Sequence, residues 1–174
     1  SSDLAVELHL LECDGCGTRL RDVIAMSDGI RHVVREGALR IIVSDAFLER
    51  AAQDGLHIRE YAPAPGSSVL CTVTEEDDLL IARLAADMSK ARRLDLCLCD
   101  DRGVEQARLE DIPFRAGAGS VVWQESMAFA RESPTMTLIA RLVAVDDAGV
   151  DQPLGEYTFH HTRSLPGPGG SSRL

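Results

Sequence analysis

The chain has 174 residues, of which 45% are hydrophobic and 26% charged, a composition typical of globular proteins and not of disordered chains. Its formal net charge of −10 opposes nonspecific binding to nucleic acids and to anionic membrane surfaces. No apolar run reaches the ~18 residues that a membrane-spanning helix needs, so we expect neither nucleic-acid binding nor membrane insertion.

The first 62 residues combine short strand-like and helix-like patterns. Val6, Leu8 and Leu10 alternate with polar residues, which predicts a strand. The predicted elements are, in order, a strand at 6–10, a helix after Asp14, strands at 30–34 and 39–43, a helix at 47–52 and a strand at 56–58. This order, βαββαβ, predicts an α+β ferredoxin-like domain over residues 1–62, with His9 on the sheet face that the helices leave uncovered.

The composition changes at residues 63–68, where Pro, Gly and Ser interrupt both helices and strands and predict a linker. Residues 69–163 show about seven short strands separated by turn residues, the pattern of an all-β sandwich domain. Within this domain, residues 79–86 fit either a strand or a helix, residues 121–129 predict a strand, and the alternation of residues 136–145 predicts another strand. The Pro- and Gly-rich residues 164–174 predict a disordered tail.

The cysteines give the main indication of chemistry. There are five of them, and an odd number does not fit a closed disulfide framework. Cys13 and Cys16 form a C-x-x-C pair, a spacing that metal-binding and redox sites both use. Cys71, Cys97 and Cys99 fall in apolar surroundings, so we predict that they are buried packing residues.

The motif LECDGC at residues 11–16, followed by an amphipathic helix and by Gly29-Ile30, resembles the heavy-metal-associated domain over residues 4–61. That family includes small copper chaperones and the N-terminal modules of metal-pumping ATPases. The resemblance implies a ferredoxin-like fold and transient binding of a soft metal ion by Cys13 and Cys16. It also implies a partner protein that donates or accepts the ion.

The identity of the ion stays open between Cu(I) and Zn(II). A helix start favours the thiolate form of these cysteines, and two thiolates are enough for Cu(I). Glu12 stands directly before Cys13, where zinc, cadmium and lead pumps of the family commonly have an Asp. That similarity implies that Glu12 is a further ligand to a Zn(II)-like ion, since zinc accepts carboxylate oxygen.

These observations favour a metal-binding and metal-delivering module with a β-sandwich docking domain. The strand pair ARLVAVDDAG and GEYTF, at residues 140–149 and 155–159, resembles the last two strands of immunoglobulin-like or fibronectin-like domains. The alternative is a protein–protein interaction or assembly component in which the cysteines bind no metal. A redox pair, and half of a zinc site completed by Cys97 and Cys99, are further interpretations of the C-x-x-C pair.

We expect no enzymatic activity, because no phosphate loop, nucleophile elbow or carboxylate pair is recognisable. Reduced thiols favour a cytoplasmic location. A periplasmic or extracellular location stays open, since sandwich domains are common there and the chain begins at Ser1, which is compatible with removal of a targeting segment.

Overall fold

The computed structural model describes residues 2–35 and 39–163, and they fall into two compact units. The first unit contains described residues 2–35 and the second contains 39–163. This division differs from the boundary predicted at 63–68. Those residues lie inside the second unit, where the Gly66 N–H donates to the Glu156 carbonyl at 2.7 Å. The tail predicted at 164–174 lies outside the described residues.

The first unit is helical throughout its described residues. Helix α1 spans Ser2–Glu12 and helix α2 spans Asp14–Arg35. The strands predicted at 6–10 and 30–34 are therefore wrong. Val6 and Leu8 are both exposed, so their alternation does not mark the buried face of a sheet. A pattern of only five residues also fits a helix. No helix in the described residues is long and apolar enough to span a membrane.

Two short helices of the second unit begin at serine N-caps. Helix α3 spans Asp45–Gln53, and the Ser44 hydroxyl accepts a hydrogen bond from the Phe47 N–H, which pairs one of the free donors of the first turn. This helix confirms the prediction at 47–52. Helix α4 spans Met127–Glu132 and has the same cap, made by Ser126. The strand predicted at 121–129 is therefore only half right, because the cap at Ser126 starts a helix.

The strands form two sheets in the described part of the second unit. They are β1 (Ile41–Val43), β2 (Ile58–Tyr61), β3 (Ser68–Cys71), β4 (Leu79–Ala85), β5 (Leu94–Cys99), β6 (Glu105–Leu109), β7 (Ser120–Glu125), β8 (Met136–Val145) and β9 (Asp151–His161). One sheet has the order β1-β7-β4-β2 and the other β3-β9-β8-β5-β6. The mixed α+β class is thus confirmed in outline. In place of the βαββαβ order predicted for residues 1–62, the described elements run α1, α2, β1, α3, β2.

The two sheets share one hydrophobic core. Leu84 and Trp123 from the first sheet pack in it with Leu96, Leu142 and Tyr157 from the second. Burying a leucine side chain this completely stabilises the fold by about 2 kcal/mol. The alternate residues of β5 point to the other face of their sheet, where a second cluster contains Cys97 and Cys99. These two cysteines and Cys71 are buried, which confirms their predicted role in packing.

Candidate metal centre

Three potential metal ligands meet where α1 joins α2. His9 lies in α1, Cys13 stands between the two helices and Cys16 lies in the first turn of α2. The ligand atoms of all three residues lie within 4.8 Å of one another, and His9 Nε2 is 3.3 Å from Cys16 Sγ. His9 is exposed and both cysteines are half-buried, so an ion or a partner side chain can reach the cluster from solvent.

The cluster depends on a bend in the helical chain at Cys13. Helical hydrogen bonds are present on both sides of this residue. The Cys13 N–H donates to the His9 carbonyl oxygen and the Gly17 N–H donates to the Cys13 carbonyl oxygen, both at 2.9 Å. In a straight helix, however, residues seven positions apart are separated by about 10 Å along the axis. The Leu10 carbonyl oxygen lies only 3.1 Å from the point where a Cβ on Gly17 would stand. Gly17 allows the two turns to come this close because it has no side chain.

Hydrogen bonds make the two thiols unequal. The pKa of Cys13 is lowered, mainly by the backbone N–H of Cys16, then by the Cys16 side chain, and less by the N–H of Gly15. The Cys13 sulfur therefore caps the start of α2, where the unpaired N–H groups favour negative charge. The pKa of Cys16 is raised, mainly because its thiol donates a hydrogen bond to the Cys13 sulfur. The negative charge on the Cys13 sulfur also repels a second negative charge on Cys16. The Cys13 thiolate, the form that binds metal, is therefore easier to form than the Cys16 thiolate.

The donor set and its spacing fit a tetrahedral zinc ion. Zinc accepts imidazole nitrogen at about 2.0 Å and thiolate sulfur at about 2.3 Å, which puts neighbouring ligands of a tetrahedron about 3.5 Å apart. The separation of 3.3 Å between His9 Nε2 and Cys16 Sγ is close to that value. Three protein ligands leave the fourth position of such an ion open.

The structure brings Cys13 and Cys16 together and adds His9, which lies in α1 and not on the strand predicted at 6–10. Glu12 is exposed and stands outside the group of three, so its role as a ligand stays a prediction. The signal for His9 was the spacing His-x-x-x-Cys-x-x-Cys, which repeats at intervals of four and three residues. That spacing marks one side of a helix, but it has no such meaning in a segment interpreted as a strand and a loop.

No protein-family model and no curated protein matches the chain. The resemblance to the heavy-metal-associated domain therefore stays a prediction, as does the resemblance of residues 69–163 to immunoglobulin-like and fibronectin-like domains. In the structure a helix precedes the C-x-x-C pair, whereas the family pattern has a strand there. The case for metal binding consequently depends on the geometry of His9, Cys13 and Cys16.

Proposed function

We propose that the helical unit binds one metal ion, Zn(II) in preference to Cu(I), through His9, Cys13 and Cys16. The observation that supports this is the convergence of one imidazole nitrogen and two sulfurs within 4.8 Å. Zinc accepts this mixed donor set, whereas Cu(I) needs only the two sulfurs and leaves the position of His9 without a role.

The site is suited to delivery as well as binding. Its imidazole is exposed and its sulfurs are half-buried, so the fourth position of the ion is accessible to water or to a side chain of a partner protein, and Glu12, next to Cys13 in the sequence, is a further candidate for it. An ion held this way can leave by stepwise exchange of ligands with an acceptor. We therefore propose a metal-binding and metal-delivering module, with the two-sheet unit as its docking domain.

The proposal is tested by anaerobic titration of the reduced full chain with Zn(II) and with Cu(I) against competing chelators. We expect one Zn(II) per chain. His9→Ala, Cys13→Ala and Cys16→Ala should each weaken zinc binding by at least the ~10-fold that loss of an outer-shell partner already costs. The matched controls are His57→Ala and Cys99→Ala, which remove an exposed imidazole and a buried thiol of the second unit. Both should leave the zinc affinity unchanged.

Two results would overturn the assignment. Zinc affinity that does not move in the three ligand variants would show that the cluster does not bind the ion. If the chain binds Cu(I) tightly but does not bind Zn(II), and His9→Ala does not weaken the binding of Cu(I), the ion of this site is copper and not zinc. A Glu12→Ala variant tests the fourth position: weaker zinc binding with unchanged copper binding assigns the carboxylate to the ion, and an unchanged zinc affinity excludes it.

The second candidate function is a protein–protein interaction component, and it is favoured by the surface of α2. Leu20, Val23, Ile24 and Ile30 are all exposed, and their spacing puts them along one side of the helix. Exposed apolar surface of this kind marks interaction sites. Capture of a partner that survives both chelation and the double change Cys13→Ala, Cys16→Ala would support this function over the first.

A further inference from the structure

The helical unit has no hydrophobic core in its described part. Between residues 6 and 33, no side chain whose burial the structure describes is buried. Many large apolar side chains of the two helices are exposed instead: Val6, Leu8, Leu11, Leu20, Val23, Ile24, Met26, Ile30 and Val33. Because the burial of apolar surface is the dominant favourable contribution to folding, this unit lacks the contribution that stabilises most domains.

The helices themselves do not make up for the missing core. Helix α1 has 11 residues, which is shorter than the ~12–15 residues below which an isolated helix is marginal in water even with a favourable sequence. Helix α2 is longer, but Gly17 and Gly29 lie within it, and glycine is among the least favourable residues in a helix interior. We therefore expect neither helix to be stable by itself.

The metal cluster lies where it can supply the missing stability. A unit of fewer than about 40 residues usually needs a disulfide, a metal ion or association with another chain. Cys13 and Cys16 are free thiols, so they form no disulfide. His9 comes from α1, Cys16 from α2 and Cys13 from the junction between them. An ion bound to all three residues would therefore tie the two helices together across the bend.

We propose that residues 2–35 form a metal-dependent conformational switch, in which binding of the ion and formation of the two helices are one coupled event. This inference rests on the metal-binding function proposed for His9, Cys13 and Cys16. Because an unfolded chain does not hold these ligands together, the free energy of metal binding is also free energy of folding. Removal of the ion unfolds the helical unit, whereas the two-sheet unit keeps its own core.

The switch also controls the exposed apolar side of α2. Leu20, Val23, Ile24 and Ile30 share one side of this segment only while it is helical. The ion therefore determines whether these exposed side chains form one continuous surface. The loaded chain and the empty chain consequently differ in the surface that they present.

Amide hydrogen exchange of the reduced full chain, followed by mass spectrometry, measures the coupling. Without zinc, the amides of residues 14–35 should exchange rapidly. Zinc at about 100 times its dissociation constant should raise the ratio of folded to unfolded unit about 100-fold, and exchange should slow by about the same factor. The amides of β5 (Leu94–Cys99) are the internal control and should not change. Cys13→Ala should abolish the effect of zinc, and Cys99→Ala should keep it.

Gly29→Ala tests the coupling without touching a ligand. A Cβ at this position would meet nothing within 4 Å, and alanine favours a helix more than glycine does. If helix formation is part of binding, this variant should bind zinc about fourfold more tightly in chelator competition. The matched control is Gly117→Ala in the second unit, where a Cβ also meets nothing within 4 Å; it should leave the zinc affinity unchanged. An unchanged affinity in Gly29→Ala would contradict the coupling.

The outcomes separate this inference from the proposed function. If zinc binds through the three ligands but residues 14–35 exchange equally slowly with and without it, the metal-binding function stands and the switch is overturned. Such slow exchange would show that another contact, such as one with a second copy of the chain, stabilises the helices. If the cluster binds no zinc, both proposals fail.

Discussion

The Nε2 atom of His9 lies 3.3 Å from the Sγ atom of Cys16, although the two residues are seven positions apart. This contact exists because the helical chain bends at Cys13, and it adds a nitrogen donor to a pair of sulfurs. A C-x-x-C pair alone fits both redox and metal chemistry. The third donor favours metal binding over redox chemistry, since an imidazole beside two thiolates is a ligand set of zinc sites.

Gly17 should be needed for metal affinity although it is not a ligand. A Cβ at this position would stand 3.1 Å from the Leu10 carbonyl oxygen, so Gly17→Ala should open the bend and move His9 away from the sulfurs. We expect a ~10-fold loss of zinc affinity, similar to the loss of an outer-shell partner. The control is Gly15→Ala, where a Cβ meets nothing within 4 Å. Equal zinc affinities of the two variants in chelator competition would contradict the role given to the bend.

The thiols should react in a fixed order with iodoacetamide. Cys13 has a lowered pKa and lies near solvent, whereas burial raises the pKa of Cys71 to about 11 and that of Cys97 to about 12. Because the thiolate is the nucleophile, we expect Cys13 to be alkylated at least about tenfold faster than either buried thiol. Mass spectrometry of the native reduced chain gives the order.

Zinc adds a control to the alkylation experiment. One equivalent should protect Cys13 and Cys16, and the rates at Cys71 and Cys97 should stay as they were. Alkylation of Cys97 at the rate of Cys13, or a lack of protection by zinc, would contradict the assignment of the site.

Asp95 should stabilise the two-sheet unit through charge-assisted hydrogen bonds. It is 1% exposed and accepts from Arg93, from Arg108 and from the Asp111 N–H at 2.9–3.1 Å. Asp95→Asn should lower the free energy of unfolding by about 2 kcal/mol at neutral pH. The matched control is Asp147→Asn, whose ion pair with Arg92 is exposed on both sides and should matter by less than about 1 kcal/mol. Urea denaturation measures both, and equal losses would contradict the role of burial.

The effect of Asp95 should also depend on pH. Burial alone would raise its pKa, but the hydrogen bonds from Asp111, Arg93 and Arg108 outweigh burial and hold the pKa below its ordinary value. A lowered folded-state pKa stabilises the protein above the unfolded value near ~3.9 and loses that effect as the pH falls through the folded value. The difference between wild type and Asp95→Asn should thus be constant near neutrality and shrink below about pH 4. A difference that grows on acidification would contradict this sign.

Local signals in the sequence predicted the second unit better than the first. The alternation at residues 136–145 matches β8 to the residue, and Ser44 with its following apolar residues predicts α3. Both patterns have a clear buried side, which fixes the period. Residues 6–10 have no buried side in the structure, since Val6 and Leu8 are exposed, so their pattern did not distinguish a strand from a helix.

The candidate sites differ in the same way. Cys13 and Cys16 are three positions apart, and their pairing needs only local structure. His9 joins them only after a bend that depends on Gly17, and no residue of the C-x-x-C motif encodes that bend. The contact between Trp123 and Phe159 is less predictable still, because the two residues come from strands of different sheets, and the packing of two sheets is a long-range property of the fold.

We propose that His9, Cys13 and Cys16 hold one zinc ion, and X-ray absorption spectroscopy of the zinc-loaded chain identifies the atoms bound to that ion. We expect two sulfur neighbours at about 2.3 Å and nitrogen or oxygen neighbours at about 2.0 Å, including one imidazole. The imidazole signal should disappear in His9→Ala and persist in His57→Ala. A zinc shell made of oxygen and nitrogen alone, or an unchanged shell in Cys13→Ala, would contradict it.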